Sequence, residues 1–139
     1  MEENLKNLLH LGETYNEKNI KELSPLALAF IGDGVFEILV RTHVLNKNLS
    51  ANKLHREAIK YVKAKNQRDL LEKVKDNLDE EERQIVKRGR NAKSHTVPKN
   101  AEISDYKMAT GLEALFGHLY LLGRYERILE IFMEMIKWR

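Results

Sequence analysis

The sequence predicts an all-α fold. Only two of its 139 residues are proline and seven glycine; leucine, alanine, glutamate and lysine are plentiful; and no stretch alternates β-branched residues with period two. The length suits one domain, residues 1–139, large enough to bury a real core and without room for a second folded module.

Each element has its own local signal. A short N-terminal helix around Leu5 to Leu11 is weakly patterned, because Gly12 and the polar run Asn16 to Asn19 interrupt it. Ser24 before Pro25 is a capping hydroxyl followed by a proline at the first helical position, and the helix it opens should reach about Asn46. Its apolar residues lie nearly all round, which predicts a central helix buried on most sides. Ser50 caps a second long helix to about Asp76, with Leu54, Ala58, Tyr61, Val62, Ala64, Leu70, Leu71 and Val74 inward and basic residues outward. Asp79 and Glu82 form a capping-box pattern for a shorter helix that should break near Gly89. Asn91 to Ile103, with Pro98, reads as a basic loop. Ser104 caps the next helix, which stops at Gly123, and an amphipathic helix runs from Tyr125 to about Trp138.

Composition excludes several chemistries. With no cysteine, disulfides, thiolate metal sites and cysteine nucleophiles are ruled out, and any metal must be held by oxygen or imidazole. No apolar run approaches the ~18 residues that cross a bilayer, and the start lacks the order of a signal peptide, so a soluble, cytoplasmic protein without a membrane partner is expected. The net charge of +3 is unevenly placed. Arg83, Lys87, Arg88, Arg90, Lys93 and Lys99 fall in one segment that contains no acid. Such a run is commonly a solvated face, but it also suits a polyanion.

The chemistry-bearing residues sit in two glycine-rich helices. Phe30-Ile31-Gly32-Asp33-Gly34-Val35-Phe36-Glu37 places an acid between two glycines, each costing about 1 kcal/mol against alanine in a helix interior. Lys107 to Gly117 repeats the pattern, with Glu113 between Gly111 and Gly117. If the two helices cross closely, Asp33 and Glu113 share an oxygen-lined pocket, and crowded carboxylates need a cation. Magnesium suits such hard ligands. The alternative for either acid is a buried ion pair with an arginine or lysine. His43, His55, His95 and His118 have no compact metal-ligand spacing.

These residues carry a family resemblance. Phe30-Ile31-Gly32-Asp33 resembles the F-L-G-D core of the ribonuclease III signature, and Glu113-Ala114-Leu115-Phe116-Gly117 resembles its E-A-L-x-G motif. Leu26 to Val44, Lys87 to Lys93, Pro98-Lys99-Asn100 and Asp105-Tyr106 look like Mini-ribonuclease III, the short branch, and the likeness spans roughly residues 24 to 123. Where most of the family carries two further carboxylates, this sequence has Ala29 and Thr110, as that branch does.

The resemblance implies a homodimeric endoribonuclease that hydrolyses double-stranded RNA with Mg²⁺ (Mn²⁺ as substitute), leaving 5′-phosphate and 3′-hydroxyl ends. Asp33 and Glu113 would be catalytic metal ligands, with Glu37 and Asp105 as contributors behind them. Phe30 would enter the partner subunit. The implied substrate is precursor large-subunit (23S) ribosomal RNA, with a ribosomal protein as a candidate accessory partner. Without a separate double-stranded-RNA-binding domain, affinity falls to the basic segment, first Arg88, Arg90, Lys93 and Lys99, then Lys60, Lys63 and Lys65. Two other readings stay open: a non-catalytic duplex-RNA-binding dimer, favoured by Ala29 and Thr110, and a helical DNA-binding module.

Overall fold

A computed structural model of the chain describes residues 15–46, 48–93 and 102–137. The expected N-terminal helix, most of the basic loop including His95, Pro98 and Lys99, and Trp138 lie outside these. Among the described residues every regular element is helical. A 3-10 turn, Asn19–Glu22, precedes α1 (Pro25–Val44), α2 (Ala51–Val62) and α3 (Ala64–Val74). A second 3-10 turn, Lys75–Asn77, leads to α4 (Glu80–Asn91), α5 (Ile103–Leu121) and α6 (Tyr125–Ile136). No helix among the described residues is long and apolar enough to cross a membrane.

The starts follow their caps. Ser24 Oγ accepts from the Ala27 N–H at 3.1 Å, and Ser50 Oγ from the Lys53 N–H at 3.3 Å. At α4 the capping box is complete: the Glu82 N–H donates to Asp79 and the Asp79 N–H to Glu82. Gly123, at φ +74°, ends α5 in the left-handed conformation. Helix α5 begins one residue before the expected cap, with Glu102 at the N-cap and no side-chain capping bond.

Three further expectations need correction. The single helix from Ser50 to Asp76 is two helices, broken where Lys63 is extended (φ −62°, ψ 143°). Unbroken, the stripe through Ala58 and Tyr61 would turn Lys65 inward. The break resets the phase, so Lys65 is exposed and Gln67, Leu70, Leu71 and Val74 face the core. Helix α4 does not stop at Gly89 but runs to Asn91, because that glycine is a crossing point. And the helix buried nearly all round is α5, not α1.

Helix α5 occupies the middle, with α1, α3, α4 and α6 packed against it. Helix α1 buries Leu28, Gly32, Phe36 and Val40, a four-residue repeat along one side. Its opposite side leaves Phe30 83% and Ile38 61% exposed. Apolar residues all round a helix do not distinguish burial within the chain from an apolar outer face. Phe36 anchors the core, its ring 5.6 Å from Phe116 of α5 and 6.2 Å from Phe132 of α6.

Candidate active site

Helices α1 and α5 cross with their backbones in contact. A Cβ on Gly32 would overlap the Glu113 carbonyl oxygen, and one on Gly117 would overlap the Leu28 carbonyl oxygen. Only glycine permits this approach, so the helical cost of both residues is offset by the packing they allow. The crossing puts Asp33, next to Gly32, beside the side chain of Glu113. A Cβ on Gly34, by contrast, would meet nothing within 4 Å.

The two acids form a pair. Glu113 is half-buried and Asp33 exposed, so the pair opens to solvent on the α1 side. Burial, followed by the hydrogen bond and charge of Asp33, pushes the Glu113 carboxyl up to about 8. Glu37 adds to the rise and a hydrogen bond from Gln67 opposes it. At neutral pH Glu113 therefore keeps its proton, and its O–H donates to the Asp33 carboxylate.

Glu37 is one turn on from Asp33 and is ion-paired with Arg41 at 3.0 Å. Asp105 is buried and bound to Arg68 of α3 at 2.7 Å, two turns before Glu113. Ala29 and Thr110 are both buried, and the Thr110 hydroxyl donates to the Tyr106 carbonyl at 2.9 Å. The residue the sequence reading missed is Gln67, 3% exposed and set against the Glu113 carboxyl. Its signal was a polar side chain at a core position of the α3 repeat, hidden because the break at Lys63 was not foreseen.

Among the described residues no trio of acids or histidines gathers around one point. The donor set is two carboxyls with an amide behind them, all hard oxygen chemistry. A pair held together by a single proton is one that a divalent cation can occupy by displacing that proton, so these residues fit Mg²⁺ or Mn²⁺. None of the described histidines takes part. His43 stacks edge-on with Tyr61 and Phe132, His55 is exposed, and buried His118 faces the start of α4.

Exposed cations lie on the neighbouring helices. Helix α4 meets α5 at Gly89, where a Cβ would lie 2.9 Å from the Gly111 Cα and 2.9 Å from the Ala114 Cβ. Arg88 and Arg90 flank that glycine, exposed, at the height of Glu113 along α5, and Lys93 follows, also exposed. Lys63 and Lys65 are exposed at the α2–α3 corner just before Gln67, and Lys60 of α2 pairs with Glu57.

Residues 26–124 match the ribonuclease III domain. The chain belongs to the ribonuclease III family. Proteins named Mini-ribonuclease 3 from Thermoanaerobacter sp. (strain X514) and Clostridium tetani (strain Massachusetts / E88) are 46% and 47% identical to it. These alignments span 99% and 91% of this chain and 99% and 85% of the relatives. A crystal structure of a protein from Fusobacterium nucleatum superposes with a TM-score of 0.78 at 37% identity, covering 87% of this chain and 98% of that one. The expected branch and fold are thus both found, and the chain is an endoribonuclease. That sets aside the non-catalytic and DNA-binding readings.

Proposed function

We propose that this double-stranded-RNA endoribonuclease hydrolyses phosphodiesters with Mg²⁺, or Mn²⁺ in its place, held by Asp33 and Glu113, leaving 5′-phosphate and 3′-hydroxyl ends. The observation that carries the reading is the acid pair at the glycine crossing. When bound, the cation supplies acidity to an attacking water and charge to the phosphate, so no histidine base is needed. Glu113 would lose its proton to solvent for the two carboxylates to hold the cation, and Asp33 lies on the open side, toward the RNA. Glu37 adds negative charge beside the pair, and Asp105 holds α5 to α3 through Arg68.

Arg88, Arg90 and Lys93 bind RNA phosphates on one flank and Lys60, Lys63 and Lys65 on the other; Lys99, outside the described residues, adds a further cation by sequence. The exposed Leu26, Phe30 and Ile38 form the apolar face through which two copies associate, Phe30 entering the partner, each copy with one acid pair. Likeness to the Mini-ribonuclease III branch supports precursor 23S ribosomal RNA as substrate, matured in the cytoplasm, with a ribosomal protein as candidate accessory partner.

Asp33→Asn and Glu113→Gln test the core of this. Each should lower kcat/KM on duplex RNA with Mg²⁺ by at least ~100-fold while preserving the fold and RNA binding. Wild-type turnover in either folded variant rules the assignment out.

A further inference from the structure

Gln67 is 3% exposed at the head of the α3 core stripe, where Leu70, Leu71 and Val74 continue the repeat. A leucine or methionine would fill the same space. Burying an amide instead is costly unless a polar group meets it, so its polarity requires a partner. The polar group it faces is the Glu113 carboxyl, whose proton affinity the amide lowers. Two features fix the contact: the break at Lys63 turns position 67 inward, and the next residue, Arg68, reaches across to Asp105 and ties α3 to α5.

We propose that Gln67 is a positioning residue of the active site, its side-chain amide holding the Glu113 carboxyl turned toward Asp33. The inference rests on the reading of Asp33 and Glu113 as metal ligands. A glutamate carboxyl on a three-bond stem rotates freely unless something anchors one oxygen. With Gln67 N–H donating to one oxygen, the other is aimed at Asp33, and both acids address the same point. The two positions that carry extra acids elsewhere in the family cannot do this. Ala29 has no polar atom, and the Thr110 hydroxyl is turned back onto its own helix. The site thus draws on an uncharged group from a third helix for order rather than on further negative charge. Partners of this kind typically change metal affinity or activity by about 10–100-fold when removed.

Gln67→Met keeps the length of the side chain and removes the amide; Gln67→Asn keeps the amide and shortens its reach. In the full-length protein, Mn²⁺ binding is followed by electron paramagnetic resonance, and duplex-RNA cleavage is titrated with Mn²⁺. Gln67→Met should raise the half-saturating Mn²⁺ concentration about 10–100-fold in both measurements, with KM for RNA within ~2-fold of wild type and kcat largely restored at saturating Mn²⁺. Gln67→Asn should fall between, and carries the same comparison if the methionine variant does not fold. A purely structural glutamine would lower the melting temperature without moving the Mn²⁺ titration, which overturns the proposal. Asp33→Asn is measured alongside. If it loses Mn²⁺ binding while the Gln67 variants keep theirs, only the positioning role fails; if it binds Mn²⁺ like wild type, the metal reading fails.

Discussion

Two glutamates in this chain, one buried and one half-buried, have opposite fates. Glu82, 1% exposed, accepts two hydrogen bonds from Arg127, each at 2.8 Å, and one from the Asp79 N–H. Burial alone would push its carboxyl up, but the Arg127 hydrogen bonds, the backbone N–H and the charges of Arg127 and Arg124 hold it below the usual range. Glu113 is less buried, yet its neighbour is another acid and it retains its proton to about 8. Burial alone does not decide whether such an acid keeps its proton; the identity of the partner does. Glu82 is complete within the chain, whereas Glu113 is completed by a proton that a cation can replace.

The largest break in this comparison removes the cation from the structural acid. Arg127→Ala leaves Glu82 buried with only its capping bond and should cost about 3 kcal/mol, a fall in melting temperature on the order of 10 °C. Cleavage per folded molecule at low temperature should not change, since Arg127 binds the α4 cap and the Asn77 carbonyl, away from the acid pair. Unchanged melting would show that the Glu82 pair is not what secures α4 to α6.

Removing the charge from Glu113 should act in the opposite direction. Its folded carboxyl titrates near 8 against 4.5 for the free group, so without metal its contribution is full below pH 4.5 and disappears as pH rises to 8. Glu113→Gln should therefore match wild type at pH 5 and exceed it by about 2–4 kcal/mol at pH 9 in a chelating buffer. Saturating Mg²⁺ should reverse the order at pH 9, because only wild type gains from the ion. A pH-independent difference between the two proteins would mean that Asp33 and Glu113 do not share a proton.

Much of this pair could be read before any coordinates. Gly32 and Gly117, costly in helices, signalled a backbone crossing, and the acids beside them signalled what the crossing brings together. The caps Ser24, Ser50 and Asp79 were equally legible, since each acts over three residues. What stayed hidden depends on phase and long range. Lys63 breaks a helix whose local propensity runs straight through, so Gln67 could not be placed. Arg127 and Glu82 are 45 residues apart, and nothing in either segment names the other. Phe30 belongs to the apolar girdle of α1 yet is 83% exposed, because periodicity records only that a side is apolar, not whether the chain covers it.

His118 offers the smallest and most discriminating test, because it is buried like Glu82 but has neither a cation nor an acid in hydrogen-bond contact. Both ring nitrogens lack a hydrogen-bond partner, and Glu81 Oε2 stands 3.9 Å from Nε2. Burial holds its pKa below the usual value; Glu81 opposes this, and Arg124 and Arg88 add to it. Folding therefore favours neutral imidazole, whose contribution is full above the free value of 6.5 and declines as pH falls below it. Glu82 loses stability on the acid side as well, but only as its carboxyl protonates, below 4.5. His118→Leu should therefore flatten the loss of stability between pH 7 and 5, leaving the steeper loss below pH 4.5 in place. If the variant keeps the wild-type slope between pH 7 and 5, the imidazole is already satisfied in the folded chain, by Glu81 moving the last ångström, and His118 belongs with Glu82 rather than between the two glutamates.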